Sequence, residues 1–250
     1  MHKQYGFVLG AAMLISTLTF GAAAAQDKVA LTLGEAAEGE ITADVNEVLY
    51  SFSGTAGQIV TIEAMPITNE DSDELDLDPT ITLQTADGEQ IAYNDDFSYP
   101  IAMLITELPD DGDYIVVVGR SGGEEGSTNG QYSVKVAEPE FYSQGSTINA
   151  NLSTDFLAAP QVFIIDPSVS GPVEFTFSQE IGEDYAGMRI VKFVNDYYPE
   201  SVANLDSTGR VSKGVITVDL EADNFYAVQL TTVSFSFSDT TEFPVTVEIK

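Results

Sequence analysis

The chain has 250 residues, 44% of them hydrophobic, and carries 40 acidic against 9 basic side chains, for a formal charge of −31. Its single histidine is His2 and it contains neither Cys nor Trp, so Ser-His-Asp triads, Cys nucleophiles, disulfides and His- or Cys-ligated zinc have no residues to be built from beyond the first few positions. So large an acidic surplus repels phosphate backbones and anionic headgroups, which argues against nucleic acid or an anionic membrane as a partner and leaves carboxylates, hydroxyls and backbone as the available chemistry.

Residues 1–25 have the three parts of a secretory signal: a basic start at Lys3, an apolar stretch from about Phe7 to Phe20, and Ala23-Ala24-Ala25 before Gln26. Cleavage after Ala25 is expected, which would leave 8 basic against 40 acidic residues, or −32, and would place the protein in the periplasm or outside the cell. The rival reading is an uncleaved anchor over Gly6 to Ala25; the small-residue site and the polar Ser16, Thr17 and Thr19 favour processing.

Beyond that segment no helical periodicity is sustained, whereas period-two alternation recurs in short runs separated by Gly, Asp, Asn and Pro. Val48, Tyr50 and Phe52 share one strand face, as do Tyr132, Val134 and Val136. In the second half Val173, Phe175 and Phe177 share a face, and so do Val245, Val247 and Ile249. Strands that each bury one face pair into antiparallel sandwiches. Ala137-Glu138-Pro139-Glu140 interrupts the alternation and reads as a linker, so the expected organisation is a signal peptide over 1–25 and two tandem jelly-roll-like β-sandwiches over 26–137 and 138–250. The halves also read as divergent copies. Leu104 to Tyr114 aligns without gaps on Ile216 to Tyr226, which sets Gly112 opposite Asn224 and predicts the same left-handed turn before a tyrosine-bearing strand.

Two acidic segments flank one expected hairpin. If Ile81–Leu83 and Ile91–Tyr93 pair across the Asp87-Gly88 turn, their outer ends bring Asp76 and Asp78 beside Asn94, Asp95 and Asp96. Calcium takes six to eight oxygens at about 2.3–2.6 Å, and carboxylates with an Asn amide supply that chemistry, so these five residues are the candidate metal ligands. The competing readings are that Glu70 to Glu74 form a solvated acidic loop and that Asp78 caps the turn before Pro79. In the second half the corresponding position is near Asn204-Leu205-Asp206, with no acidic stretch before its partner strand, so that copy is expected to lack an ion site. Phe193, Tyr197 and Tyr198 with Pro199 form either a stacking platform for a sugar ring or a Pro-rich peptide, or edge residues covering the core; Phe141 and Tyr142 are expected to pack between the halves. A glycosidase needs only two carboxylates, yet one must have a raised pKa in a cleft, and acids in hydrophilic turns are expected simply to ionise.

The first half also resembles a known family. Tyr50-Ser51-Phe52, then Ala56-Gly57-Gln58-Ile59-Val60-Thr61-Ile62, Asp78-Pro79, Ile81-Thr82-Leu83, Asp87-Gly88, Asn94-Asp95-Asp96, Leu108-Pro109 through Gly112-Asp113-Tyr114, and Gly130-Gln131-Tyr132-Ser133-Val134 are similar, in order, to the bacterial pre-peptidase C-terminal domain. The match covers about Val29 to Val136, and the second half follows it only at the Tyr226 strand and the last strand. What the resemblance implies is a small β-sandwich, usually appended to secreted hydrolases, that binds matrix or substrate and in some members calcium. No protease domain accompanies it here. Together these readings predict an exported, non-catalytic binding module that recognises an extracellular or envelope protein or polysaccharide, with calcium stabilising the first domain. The alternative is a structural or accessory subunit for a separately encoded secreted hydrolase.

Overall fold

A computed structural model describes residues 28–67, 77–153, 159–180, 185–194, 198–205, 211–233 and 242–250. The expected signal segment, Glu70 to Glu74, Asp76, Tyr197 and Asp206 lie outside the described residues. Among the described residues the fold is all β, with one short 3-10 turn at Gly123–Glu125. The strands β1 (Val29–Ala30), β2 (Ala36–Ile41), β3 (Glu47–Gly54), β4 (Ile59–Pro66), β5 (Pro79–Thr85), β6 (Gln90–Asn94), β7 (Ala102–Glu107), β8 (Gly112–Arg120) and β9 (Gly130–Ala137) form two sheets, ordered β1-β3-β8-β5-β6 and β2-β9-β4-β7. A second set comprises β10 (Phe141–Tyr142), β11 (Thr147–Ser153), β12 (Gln161–Ile165), β13 (Gly171–Gln179), β14 (Tyr185–Lys192), β15 (Glu200–Leu205), β16 (Lys213–Leu220), β17 (Tyr226–Val233) and β18 (Glu242–Ile249). Its sheets run β10-β12-β17-β14-β15 and β11-β18-β13-β16.

Adding nine to every label of the first set gives the strand order of the second, so the two halves share one topology strand for strand. The sheets change over between Ala137 and Phe141, within the Pro-containing stretch. Pairing is antiparallel except for the two-residue edge strands β1 and β10, which run parallel to β3 and β12. Each half has its own core, filled by the alternating residues. Tyr50, Phe52, Ile81, Leu83, Val116 and Val118 from one sheet face Ile62, Ala64, Leu104, Tyr132 and Val134 from the other. In the second half Val173, Phe175, Phe177, Val245, Val247 and Ile249 meet Met188, Ile190, Val228 and Leu230.

Not every strand buries one face only. In β7, Ala102 and Leu104 face the first core while Met103 and Ile105 point the other way, into a third cluster with Phe97, Ile164, Val191 and Ala227. These last three belong to β12, β14 and β17, so the outer face of the first half's four-stranded sheet packs on the outer face of the second half's five-stranded sheet. A strand sealed on both sides carries an apolar run rather than alternation, as Ala102-Met103-Leu104-Ile105 does. Phe141 packs against this shared cluster, but Tyr142 turns into the second core, edge-on to Phe163.

The aligned turns share an anchor without sharing a backbone conformation. The Tyr114 hydroxyl donates to the Asp110 carbonyl at 2.6 Å, and the Tyr226 hydroxyl accepts from the Glu221 N–H at 3.3 Å, so each tyrosine ties down the turn before its strand. The expected left-handed Asn224 is not found; the left-handed residue is its neighbour Asp223, with φ 60°, whereas Gly112 has φ 155°. Asp, with its short polar side chain, tolerates that region nearly as well as Asn.

Candidate metal centre

The hairpin forms as the sequence predicts. β5 and β6 pair antiparallel, with Ile81 opposite Asn94 and Leu83 opposite Ala92, so the start of β5 lies beside the end of β6. Asp78 immediately precedes β5. It is held by its backbone: its N–H donates to Thr128 Oγ1 at 3.3 Å, and its carbonyl accepts the Ser121 N–H at 2.8 Å. Asp95 and Asp96 immediately follow β6. One carboxylate oxygen from each of Asp78, Asp95 and Asp96 lies within 4.8 Å of the other two, and among the described residues this is the one group of His, Cys, Asp and Glu side chains placed to hold a metal ion.

These carboxylates are not solvated turn residues. Asp95 and Asp96 retain only 8% and 7% of their exposure, and Oδ1 of each of the three aspartates is buried and accepts no hydrogen bond from the protein. Buried acceptors in folded proteins are nearly always satisfied, so an orphaned oxygen on each of three clustered aspartates describes a site shaped for a partner the protein does not supply. The other oxygens of Asp95 and Asp96 have neutral donors. Ser121 Oγ donates to Asp95 Oδ2 at 3.3 Å, and the Tyr198 hydroxyl donates to Asp96 Oδ2 at 2.9 Å.

Burial and mutual repulsion show in the acidities, against the expectation that these acids simply ionise. Asp78 is pushed up to about 6, first by burial and then by the charges of Asp96 and Asp95. Asp95 is raised by burial and by Asp96, an effect that hydrogen bonds from Ser121 and Tyr93 partly offset. A raised carboxyl invites comparison with a glycosidase acid. None of the three aspartates, however, lines either of two surface clefts of about 420 and 300 Å³, the first walled by Asp44, Asn46, Glu47, Thr80, Thr82 and Arg120 and the second by residues around Asp87 and Asp113.

Asn94 has a structural part that its spacing does not show. It is buried at 3% exposure, and its Oδ1 accepts the Met103 N–H at 2.9 Å. β6 and β7 lie in different sheets, so this bond closes the base of the 95–101 loop where the chain crosses from one sheet to the other. The amide therefore positions the loop that bears Asp95 and Asp96, with one lone pair of its oxygen taken by the backbone.

Sequence reasoning missed two supports. Ser121 follows Arg120, whose buried guanidinium donates to the carbonyls of Gly123 and Thr42 and to the side chains of Asn129 and Asn46, shaping the β8–β9 connection from inside. An Arg-Ser pair at a strand end carries no local sign of this. Tyr198 stood out in the sequence only as an aromatic, and its hydroxyl, not its ring, reaches the site. Phe193, the other described member of that aromatic group, stacks on Phe97 with ring centroids 5.1 Å apart and planes at 18°, so it covers the contact between the halves rather than standing free as a platform.

Compared with known proteins, the chain matches no family model and no curated protein.

Proposed function

We propose that this protein is an exported, non-catalytic binding module whose first sandwich is stabilised by calcium held at Asp78, Asp95 and Asp96, and whose partner is an extracellular or envelope protein or polysaccharide. The observation that carries the cation reading is a trio of aspartates with one carboxylate oxygen each within 4.8 Å of the others and with a buried, unpartnered Oδ1 on every one. A hard divalent ion cancels their repulsion and takes oxygen ligands, and oxygen is what these three residues offer. The non-catalytic reading is supported by the absence of these three acids from the walls of the two described clefts and by a chain without Cys and with no His beyond His2. Export is supported by residues 1–25 alone.

The test is calorimetric titration of calcium into chelator-treated protein, beside the Asp95→Ala/Asp96→Ala variant. Saturable heat in the parent that vanishes in the variant is expected, together with about 2.7 kcal/mol of added stability at a hundred times the dissociation constant. Equal heats in the two proteins, or none in either, would remove the cation from the proposal. Retention on polysaccharide or collagen-like matrices in calcium then tests recognition; co-purification with a secreted hydrolase instead would favour an accessory subunit.

A further inference from the structure

The carboxylates sit at the seam between the two sandwiches. Asp95 and Asp96 are followed directly by Phe97, which is 2% exposed and stacks on Phe193 of the second half. The loop that holds these three residues is short and closed on itself: Phe97 N–H donates to the Ile101 carbonyl at 2.9 Å, Ile101 N–H donates to the Ser98 carbonyl at 2.8 Å, and Asn94 clamps its base to Met103. Met103 in turn packs in the shared apolar cluster with Ile164 and Val191 of the second half. Across the same seam the Tyr198 hydroxyl reaches Asp96 Oδ2. Any force that spreads the carboxylates therefore acts on residues that form the contact between the halves.

The geometry points to an interdomain latch: a divalent cation at Asp78, Asp95 and Asp96 holds the 95–101 loop in the conformation that receives Phe193 and Tyr198, so that cation occupancy and docking of the second sandwich support each other. This rests on the cation reading above and adds to it a role for the second half, with Tyr198 as a positioning residue. Without the ion, two nine-tenths-buried carboxylates and Asp78 repel one another when ionised, and a loop that spreads them moves Phe97 or releases Asp96 from Tyr198. Coupling of this kind is reciprocal: docking strengthens the ion by the same factor by which the ion strengthens docking, so removing the contacts that carry the coupling weakens the ion.

The experiment measures calcium affinity by calorimetry in the full protein and in Tyr198→Phe, Phe193→Ala and, as a control on the same loop, Tyr99→Phe, whose side chain is 69% exposed. Because the chain has no Cys, spin labels at Asp87→Cys and Val215→Cys report the distance between the halves without background. The expected result is a distance distribution that narrows on adding calcium, at least about fivefold weaker calcium binding in Tyr198→Phe and Phe193→Ala, and no change in Tyr99→Phe. If the parent binds calcium and Tyr198→Phe binds it within twofold of the parent, the latch is overturned while the cation site stands. If the parent binds no calcium, both fall together. Tyr198→Phe removes a single oxygen from an exposed side chain, so it decides the question even if Phe193→Ala fails to fold.

Discussion

Replacing Asp78 with Asn should make the calcium-free protein more stable at neutral pH and at the same time cost it its response to calcium. Asp78 ionises near 6 in the folded protein against 3.8 when unfolded, so the folded state holds the proton more tightly. The favourable contribution is complete below about pH 4 and is lost as pH rises through 6, so at pH 7 the ionised carboxylate opposes folding. A displacement from 3.8 to about 6 corresponds to about 3 kcal/mol, and to about 2 kcal/mol once solvent screening of this partly exposed residue is allowed for. The Asn amide keeps the shape, carries no charge and can donate to the orphaned oxygens of Asp95 and Asp96. In chelator at pH 7, Asp78→Asn should therefore melt about 4–8 °C above the parent, given about 2–4 °C per kcal/mol for a chain of this size. The gap should close between pH 6 and pH 4, and in saturating calcium the order should reverse. Differential scanning calorimetry in chelator at pH 4, 5, 6 and 7, repeated with calcium, measures each part. A variant less stable than the parent in chelator at pH 7, or a gap that does not change with pH, would refute the reasoning, because either result would mean that the carboxylate is solvated or already paired in the folded protein.

Two further substitutions separate architecture from ion binding. Asn94→Ala leaves the buried Met103 N–H without its acceptor and should cost about 1–3 kcal/mol in urea unfolding while leaving calcium stoichiometry at the parent value; lost calcium binding with unchanged stability would instead place the amide among the ligands. Gly39→Ala puts a methyl group against the hydroxyls of Tyr50 and Tyr132, which hydrogen-bond each other at 2.9 Å inside the first core. That overpacking should cost about 1–3 kcal/mol, and an unchanged urea midpoint would show that the tyrosine pair shifts freely.

The fold was legible because its signals are local. Residues such as Val173, Phe175 and Phe177 alternate with polar neighbours, and a strand that must bury one face displays that period wherever it is read. The convergence of Asp78 with Asp95 and Asp96 was legible for a related reason, since a hairpin with a short turn brings its outer ends together whatever surrounds it. What spacing did not show for Asn94 is that its oxygen also accepts a backbone N–H from the opposite sheet. β7 departs from one-sided burial because the second half lies on its outer face.

Composition by itself bounded the chemistry open to this protein: with His2 its only histidine and no cysteine, carboxylates are the abundant ligand chemistry, and alternation with turn residues determined that the chain folds as sandwiches. The tertiary structure decided which acids matter. Ser121 reaches Asp95 from 26 residues away, and Tyr198 reaches Asp96 from 102 residues away. Burial, acidity and the satisfaction of each carboxylate oxygen are properties of distance through space, and no spacing along the chain encodes them until both sandwiches have closed around the site.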